Sequence, residues 1–227
     1  MTIPDILFAE MVKNPDDLEL FLKMHEAFPA FHRKTCLDFF NLIVTPGIEQ
    51  KVIQYNSGHP GLGLSVRMPK NYDGYFNKAP DGSLFISPGT SSVWPEGIEV
   101  ELASETYGLR NFYCQIWVPS AKDMPASETF RPAFVSSLIK AFRETFPSTD
   151  SIGSNDCGAW FYYGGAHRNL FLPEAAMAVS LEVANFKNGR TEPGPFAARY
   201  IQDVIDLVDL VDKFFCQTAT GDGPPPV

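Results

Sequence analysis

No long apolar run occurs anywhere in this chain of 227 residues. Every window falls short of the roughly 18 consecutive apolar residues that a membrane-crossing helix needs, so no membrane partner is expected. Positive charge is also scarce. Eighteen Lys and Arg stand against 27 Asp and Glu, a formal net charge of −9 with a pI near 4.9. That balance opposes non-specific binding to nucleic acid or to anionic lipid surfaces. The nearest basic groupings, Arg33-Lys34 and Lys187 to Arg190, are pairs and not runs. Cysteine is sparse too. Cys36, Cys114, Cys157 and Cys216 lie far apart without CxxC spacing, which argues against a disulfide framework and fits a reducing compartment. The opening residues include Pro4, Asp5, Glu10 and Lys13, so they lack the continuous apolar stretch of a signal peptide. A cytoplasmic location is the resulting expectation.

Compact catalytic motifs are missing as well. No Gly-x-Ser-x-Gly elbow occurs, and no matching elbow surrounds Cys157. The glycine-rich stretch Gly58-His59-Pro60-Gly61-Leu62-Gly63 carries part of a dinucleotide fingerprint. A strand-like segment follows it, where that fingerprint requires a helix. Four histidines are present, at 25, 32, 59 and 167. His32 and Cys36 have i,i+4 helical spacing, yet no further ligand stands near them, so a core-lining pair is expected and no metal site is assigned. No cofactor is specified.

What the chain does have is apolar bulk: 44% hydrophobic residues, 19 of them Phe. A chain of this length buries roughly 70% of the surface its unfolded form exposes, so it folds without a staple. The expected fold is α/β or α+β, a single mixed or mostly antiparallel sheet flanked by about four helices. One globular domain over residues 1–218 and an extended tail over 219–227 are expected.

Helices are predicted over Pro4 to Val12, from a start at Asn14-Pro15-Asp16-Asp17 to Phe28, and over Phe31 to Ile43, the last two separated at Pro29. Two more are predicted over Phe130 to Phe146 and Phe196 to Phe215, where apolar residues recur every three to four positions. Strands are predicted at Lys51 to Tyr55, Leu62 to Met68, Ser83 to Ser87, Ile98 to Ala103, Leu109 to Val118, Ala159 to Tyr163, Arg168 to Leu172 and Ala176 to Phe186. Gly164-Gly165 reads as a hairpin turn, and Pro119 to Pro125 as the best candidate linker.

Three groups of residues are candidates for function. Glu99 and Glu101 are two apart on a strand and project from one face, with Gln115 on the next strand and Asp81 in a preceding loop. Paired carboxylates of this kind hold a divalent cation or exchange protons. The order of helix, strands, acidic strand, strand and helix resembles the nuclease fold built on a PD-(D/E)xK motif, over about half the chain and in element order alone. Where that motif places (E/Q)xK, this sequence has Gln115-Ile116-Trp117, with Trp in place of the lysine. The resemblance implies a metal-dependent hydrolase using Glu99, Glu101 and Gln115.

The second group is the acidic series Asp203, Asp206, Asp209 and Asp212 on the last helix. With the aromatic clusters Phe112-Tyr113 and Trp160 to Tyr163, it suggests a surface that recognises a protein partner. His59, His167 and Arg168, beside glycine-rich turns, form the third group and are candidates to border a binding pocket. Cys157, at a loop-to-strand junction ten residues before His167, is the one candidate nucleophile. The best-supported expectation is a non-enzymatic protein-binding or regulatory protein, and the metal-dependent hydrolase is the alternative.

Overall fold

Alternating apolar and polar residues in the middle of the chain build a six-stranded sheet, in a computed structural model that describes residues 15–67, 84–89, 94, 97–106, 110–117, 130–146, 149–155 and 158–219. The strands are β1 (Ser65–Arg67), β2 (Leu84–Ser87), β3 (Glu99–Thr106), β4 (Arg110–Trp117), β5 (Ser151–Asn155) and β6 (Gly158–Tyr162). Their spatial order is β1-β2-β3-β4-β6-β5, with every neighbouring pair antiparallel. Among the described residues six α-helices accompany them: α1 (Pro15–Phe39), α2 (Thr45–Gly58), α3 (Phe130–Thr145), α4 (Gly165–Arg168), α5 (Pro173–Lys187) and α6 (Pro195–Ala219). The expected α/β class with a mostly antiparallel sheet is what forms, and the described residues alone hold more helices than the four expected.

The period-two alternation gives the sheet two different faces. Val100, Leu102, Phe112, Cys114, Ile116, Ala159 and Phe161 share one face and are buried. The helices pack on this side. Phe112 meets Phe40 and Tyr200, and Phe161 meets Phe142 and Phe146 of the α3 end. The opposite face carries Arg67, Phe85, Glu101, Gln115, Trp160 and Gly153 as one cross-strand rung, set by the pairing register. Ser87, Glu99 and Trp117 stand on the next rung.

The clearest helix in the sequence is also the central one. Tyr200, Val204, Leu207, Val208, Val211 and Phe215 of α6 are all buried, which follows from their i, i+4, i+7 spacing. The first turn of α6 has every donor satisfied. Pro195 has no N–H, Phe196 and Ala197 donate to the Glu182 carboxylate of α5 at 2.7 and 3.1 Å, and Ala198 donates to the Gly194 carbonyl at 2.9 Å. Gly194 is required here, because a Cβ at that position would collide with the Glu182 carboxyl group.

Several expected elements differ. The predicted break at Pro29 does not occur. α1 runs through it, then widens into a π-helical turn at Phe40–Val44 that leads directly into α2. The wider turn brings Phe40, Ile43 and Val44 all inward. Lys51 to Tyr55 is helical, because Ile48, Val52 and Tyr55 share one helix face and only the first two are fully buried. Ala176 to Phe186 is helix too. The alternation of Val179, Leu181 and Val183 is misleading, since Leu181 is 60% exposed while Ala175, Val179 and Val183 point inward at helical spacing.

Gly164-Gly165 does not turn a hairpin. Gly165 takes φ +54° as α4 begins, and Arg168 to Leu172 makes one isolated bridge, Arg110 to Asn169, and no strand. The true hairpin pairs β5 with β6. β5, Ser-Ile-Gly-Ser-Asn, is an edge strand of small polar residues without an apolar pattern to betray it. The predicted helix at Pro4 to Val12, the linker Pro119 to Pro125, the tail beyond Ala219, Asp81 and Cys157 all lie outside the described residues.

Candidate functional site

Three strands bring the predicted carboxylates together. Glu101 on β3 pairs directly with Gln115 on β4 and Phe85 on β2, and Gln115 donates from Nε2 to the Glu101 carboxyl. Glu101 is only 3% exposed. Burial, opposed by the Gln115 hydrogen bond and reinforced by the charge of Glu99, pushes its carboxyl up to about 7. Such a group is half protonated at neutral pH, the condition suited to proton exchange.

Glu99, two residues along the same face, has other partners. Arg67 donates to both of its carboxylate oxygens, at 2.8 and 3.0 Å, and Ser87 donates to it at 2.5 Å. The Arg67 guanidinium also lies over the Phe85 ring, 4.7 Å from its centroid. Neither Arg67 nor Ser87 was singled out from the sequence. Their contribution depends on strand register, and β1 and β2 are joined by a long segment whose length conceals it.

The two carboxylates are thus set apart by environment, one held by a cation and the other buried against an amide and a ring. This is the arrangement by which proteins give adjacent acids different protonation states. It is less suited to a metal. Arg67 and Ser87 already occupy the oxygens of Glu99, and among the described residues no group of three or more His, Cys, Asp and Glu is placed to hold an ion.

The remaining predicted site residues do not converge. His59 caps the end of α2, where its ring stacks on Tyr55 at 4.3 Å and its Nδ1 donates to the Tyr55 carbonyl. Tyr55 in turn donates to Asp209 and Asp212 near the far end of α6. His167 stacks on Phe196 at the opposite end of that helix, 4.2 Å between ring centroids. Phe196 and Asp209 are separated by about 20 Å of helix at 1.5 Å per residue, so the two histidines border no common pocket. Burial first, and then the Arg199 charge, lower the pKa of His167, and its buried Nε2 has no hydrogen-bond partner among the described residues. Arg168 donates to Asp150 at 2.9 Å and covers the Tyr162 ring.

The acidic series on α6 is not a continuous surface. Asp203 and Asp212 are buried. Asp203 accepts from Arg199 at 2.6 Å and stands near the buried Tyr163, whose hydroxyl lies 3.1 Å from the Cys114 thiol. Trp94 and Tyr55 bond to Asp212. Asp206 is half-buried and accepts from Gln202 at 2.7 Å. The i, i+3 spacing therefore places these acids on more than one side of the helix, and half of them serve internal polar contacts. His32 and Cys36 line the core, with the His32 Nε2 donating to the Leu170 carbonyl at 2.9 Å.

A second surface emerges from the helices. Among the described residues, the large apolar side chains exposed to solvent are Leu22, Met24, Phe28, Phe31, Ile53, Met177 and Leu181. All but Ile53 lie on α1 and α5, which pack side by side. Met24, Phe28 and Phe31 follow i, i+4, i+7 and form one stripe along α1. On α5, Met177 and Leu181 are i, i+4 and point directly away from the inward Val179 and Val183. The sequence contains the signal, but it reads there as core: on α5 spacing cannot tell which of two apolar stripes is covered, and on α1 the exposed stripe continues the line of the buried His32, Thr35 and Phe39.

No known protein family, curated protein or solved structure matches the chain. Among the described residues no helix is long and apolar enough to cross a membrane.

Proposed function

We propose that this chain is a protein-binding module whose contact surface is the apolar side of α1 and α5. The observation that carries the proposal is the placement of six exposed large apolar side chains on two adjacent helices, with Phe31 63% and Met177 71% exposed. Scattered single apolar residues are normal on a protein surface, whereas concentrated ones mark interaction sites. Aromatic and Met side chains are also the types enriched at the centre of protein interfaces. The partner is a protein with its own apolar contact face. The recognition surface is thus apolar and aromatic, and the acidic residues of α6 contribute little to it.

The experiment is site-specific photo-crosslinking from positions 31 and 181 in the native cell, with position 51 as the exposed control. A discrete protein adduct from 31 and 181, absent from 51 and lost when Phe28→Ser and Met177→Ser are introduced, supports the proposal. Equal labelling from all three positions, or adducts that survive those substitutions, overturns it. An adduct of twice the chain's own mass identifies the partner as a second copy.

A metal-dependent hydrolase is the second reading, favoured by Glu99 and Glu101 sharing a sheet face with Gln115. It predicts that millimolar Mg²⁺ or Mn²⁺ raises the melting midpoint. A ligand at about 100 times its dissociation constant stabilises by roughly 2.7 kcal/mol, which is about 5–10 °C for a chain of this size. No rise, or a rise that persists in Glu99→Ala, removes this reading.

A further inference from the structure

We propose that the open edge of β5 receives an extended segment of a partner protein as an added strand, with an acidic side chain of that segment set against Arg143. β5 ends the sheet, and among the described residues β6 is its one neighbour. Tyr163 donates to the Phe112 carbonyl of β4. Alternate residues of β6 therefore face β4, and those between them, Tyr162, Trp160 and Gly158, face β5. Their register partners are Ser151, Gly153 and Asn155, which spend their backbone groups on β6. Ile152 and Ser154 direct their N–H and C=O groups to the open side, where no described residue takes them up.

Such a row of unpaired groups is a template for another strand, and proteins commonly blunt it with charge, proline, a bulge or a very short strand. The opposite edge of the sheet is protected in this way, since β1 is three residues long and ends in Arg67. β5 has none of these devices. It reads Ser-Ile-Gly-Ser-Asn, pairs in unbroken register, and exposes Ser151, Ser154 and Asn155.

The groove beside the edge identifies the segment. Arg143 and Phe146, in and just after the last turn of α3, line an open groove of about 250 Å³ with Thr149, Asp150, Ser151 and Ile152. Ile152 is opposite Phe161, on the face of the sheet against which α3 packs. Directly opposed residues of paired strands share a face. The residue set against Ile152 thus places its side chain in this groove, its stem on Phe146 and Ile152 and its end at Arg143. Among the groove residues Asp150 is the one acid, and it is ion-paired with Arg168 at 2.9 Å. Arg143 is exposed and forms no ion pair with a described residue. In a chain of net charge −9, this local cation selects a carboxylate at one position. Main-chain pairing supplies the rest of the affinity and accepts many sequences. The site is separate from the helical contact surface proposed above, because none of its residues belongs to α1 or α5.

NMR titration of the isotope-labelled full chain tests the proposal, with capped heptapeptides of alternating Thr and Val that carry Glu, Gln or Lys at the centre. The Glu peptide should give saturable shifts at the amides of residues 151–155 and slow the exchange of the Ile152 and Ser154 amides. It should bind about three- to five-fold more tightly than the Gln peptide, the size of one part-exposed charge pair, and the Lys peptide should bind most weakly. Arg143→Ala should abolish that ranking. Ser154→Pro deletes one outward donor and leaves the ladder to β6 intact, so it should weaken the Glu peptide about tenfold, while Ser154→Ala should not. The Arg143→Ala result and the amide exchange still decide if Ser154→Pro folds poorly. No saturable shift at millimolar Glu peptide, shifts centred away from β5, or equal binding of the three peptides overturns the proposal. A Gln peptide with a free terminal carboxylate that outbinds the capped Glu peptide overturns the acidic side chain as the recognised group.

Discussion

Replacing Glu182 with alanine should destabilise the protein more than any surface change, although the residue touches no candidate site. Its carboxylate accepts from the Phe196 and Ala197 N–H groups at 2.7 and 3.1 Å and is buried. Charge-assisted hydrogen bonds contribute about 1.5–3 kcal/mol each, and a carboxylate at a helix N-terminus gains a further ~0.3–1 kcal/mol from the helix dipole. Part of that is regained when water reaches the freed donors, so about 3 kcal/mol is the expected loss. For a chain of 227 residues this lowers the melting midpoint by about 6–12 °C. Glu182→Gln keeps one acceptor oxygen and should lose roughly a third as much.

Gly194→Ala offers an internal check, since its new Cβ would push the same carboxyl out of place. The single changes should be similar, and the double variant should lose clearly less than their sum. The assay is thermal unfolding by circular dichroism, with amide exchange at 196 and 197 as the local readout. A Glu182→Ala midpoint within 2 °C of the parent would refute the reasoning. Strict additivity of the two changes would refute it equally.

The remaining expectations are briefer. Glu101 titrates at about 7 in the folded state against 4.5 for an ordinary Glu; the folded state therefore holds the proton more tightly. Its contribution is fully present below pH 4.5 and is lost as pH rises toward 7, by about 3 kcal/mol at 1.36 kcal/mol per pKa unit. Glu101→Gln should accordingly flatten the fall in melting midpoint between pH 5 and 8, and an unchanged pH profile would count against the burial of that group. Phe161→Ala, which removes ring contacts with Phe142, Phe146 and Tyr163, should cost about 3–5 kcal/mol in denaturant unfolding. Arg67→Ala should cost less than about 1 kcal/mol at pH 7, since the pair it breaks is part-exposed. The Cys36 thiol, pushed up to about 12 by burial, and the Cys114 thiol, also raised by burial, should resist a thiol reagent until the protein unfolds.

Charge, size and the stronger periodic patterns were decided by the sequence alone. Residues 196–215 could be read as a helix because a third of their surface must be apolar at a 3.6-residue period, and β4 because Phe112, Cys114 and Ile116 alternate with polar or amphipathic residues. The pairing of Glu99 and Glu101 on one face follows from strand geometry, whatever lies around them. Where the periodic signal was double, it misled. Met177 and Leu181 made α5 look apolar on alternate positions, and the pattern of a strand resulted.

Only the tertiary structure decided which of these residues acquire unusual chemistry. Glu101 and Glu99 are the same residue type, two apart, yet one is buried against an amide and the other is held by an arginine from a strand more than 30 residues earlier. The acids of α6 are divided in the same way, two of them buried and two less so. Burial and register are properties of strands and helices brought together from distant parts of the chain, and an electrostatic environment is the sum of those distant neighbours. A periodic pattern fixes which side of an element a residue occupies. What stands against that side is settled by the packing of the whole.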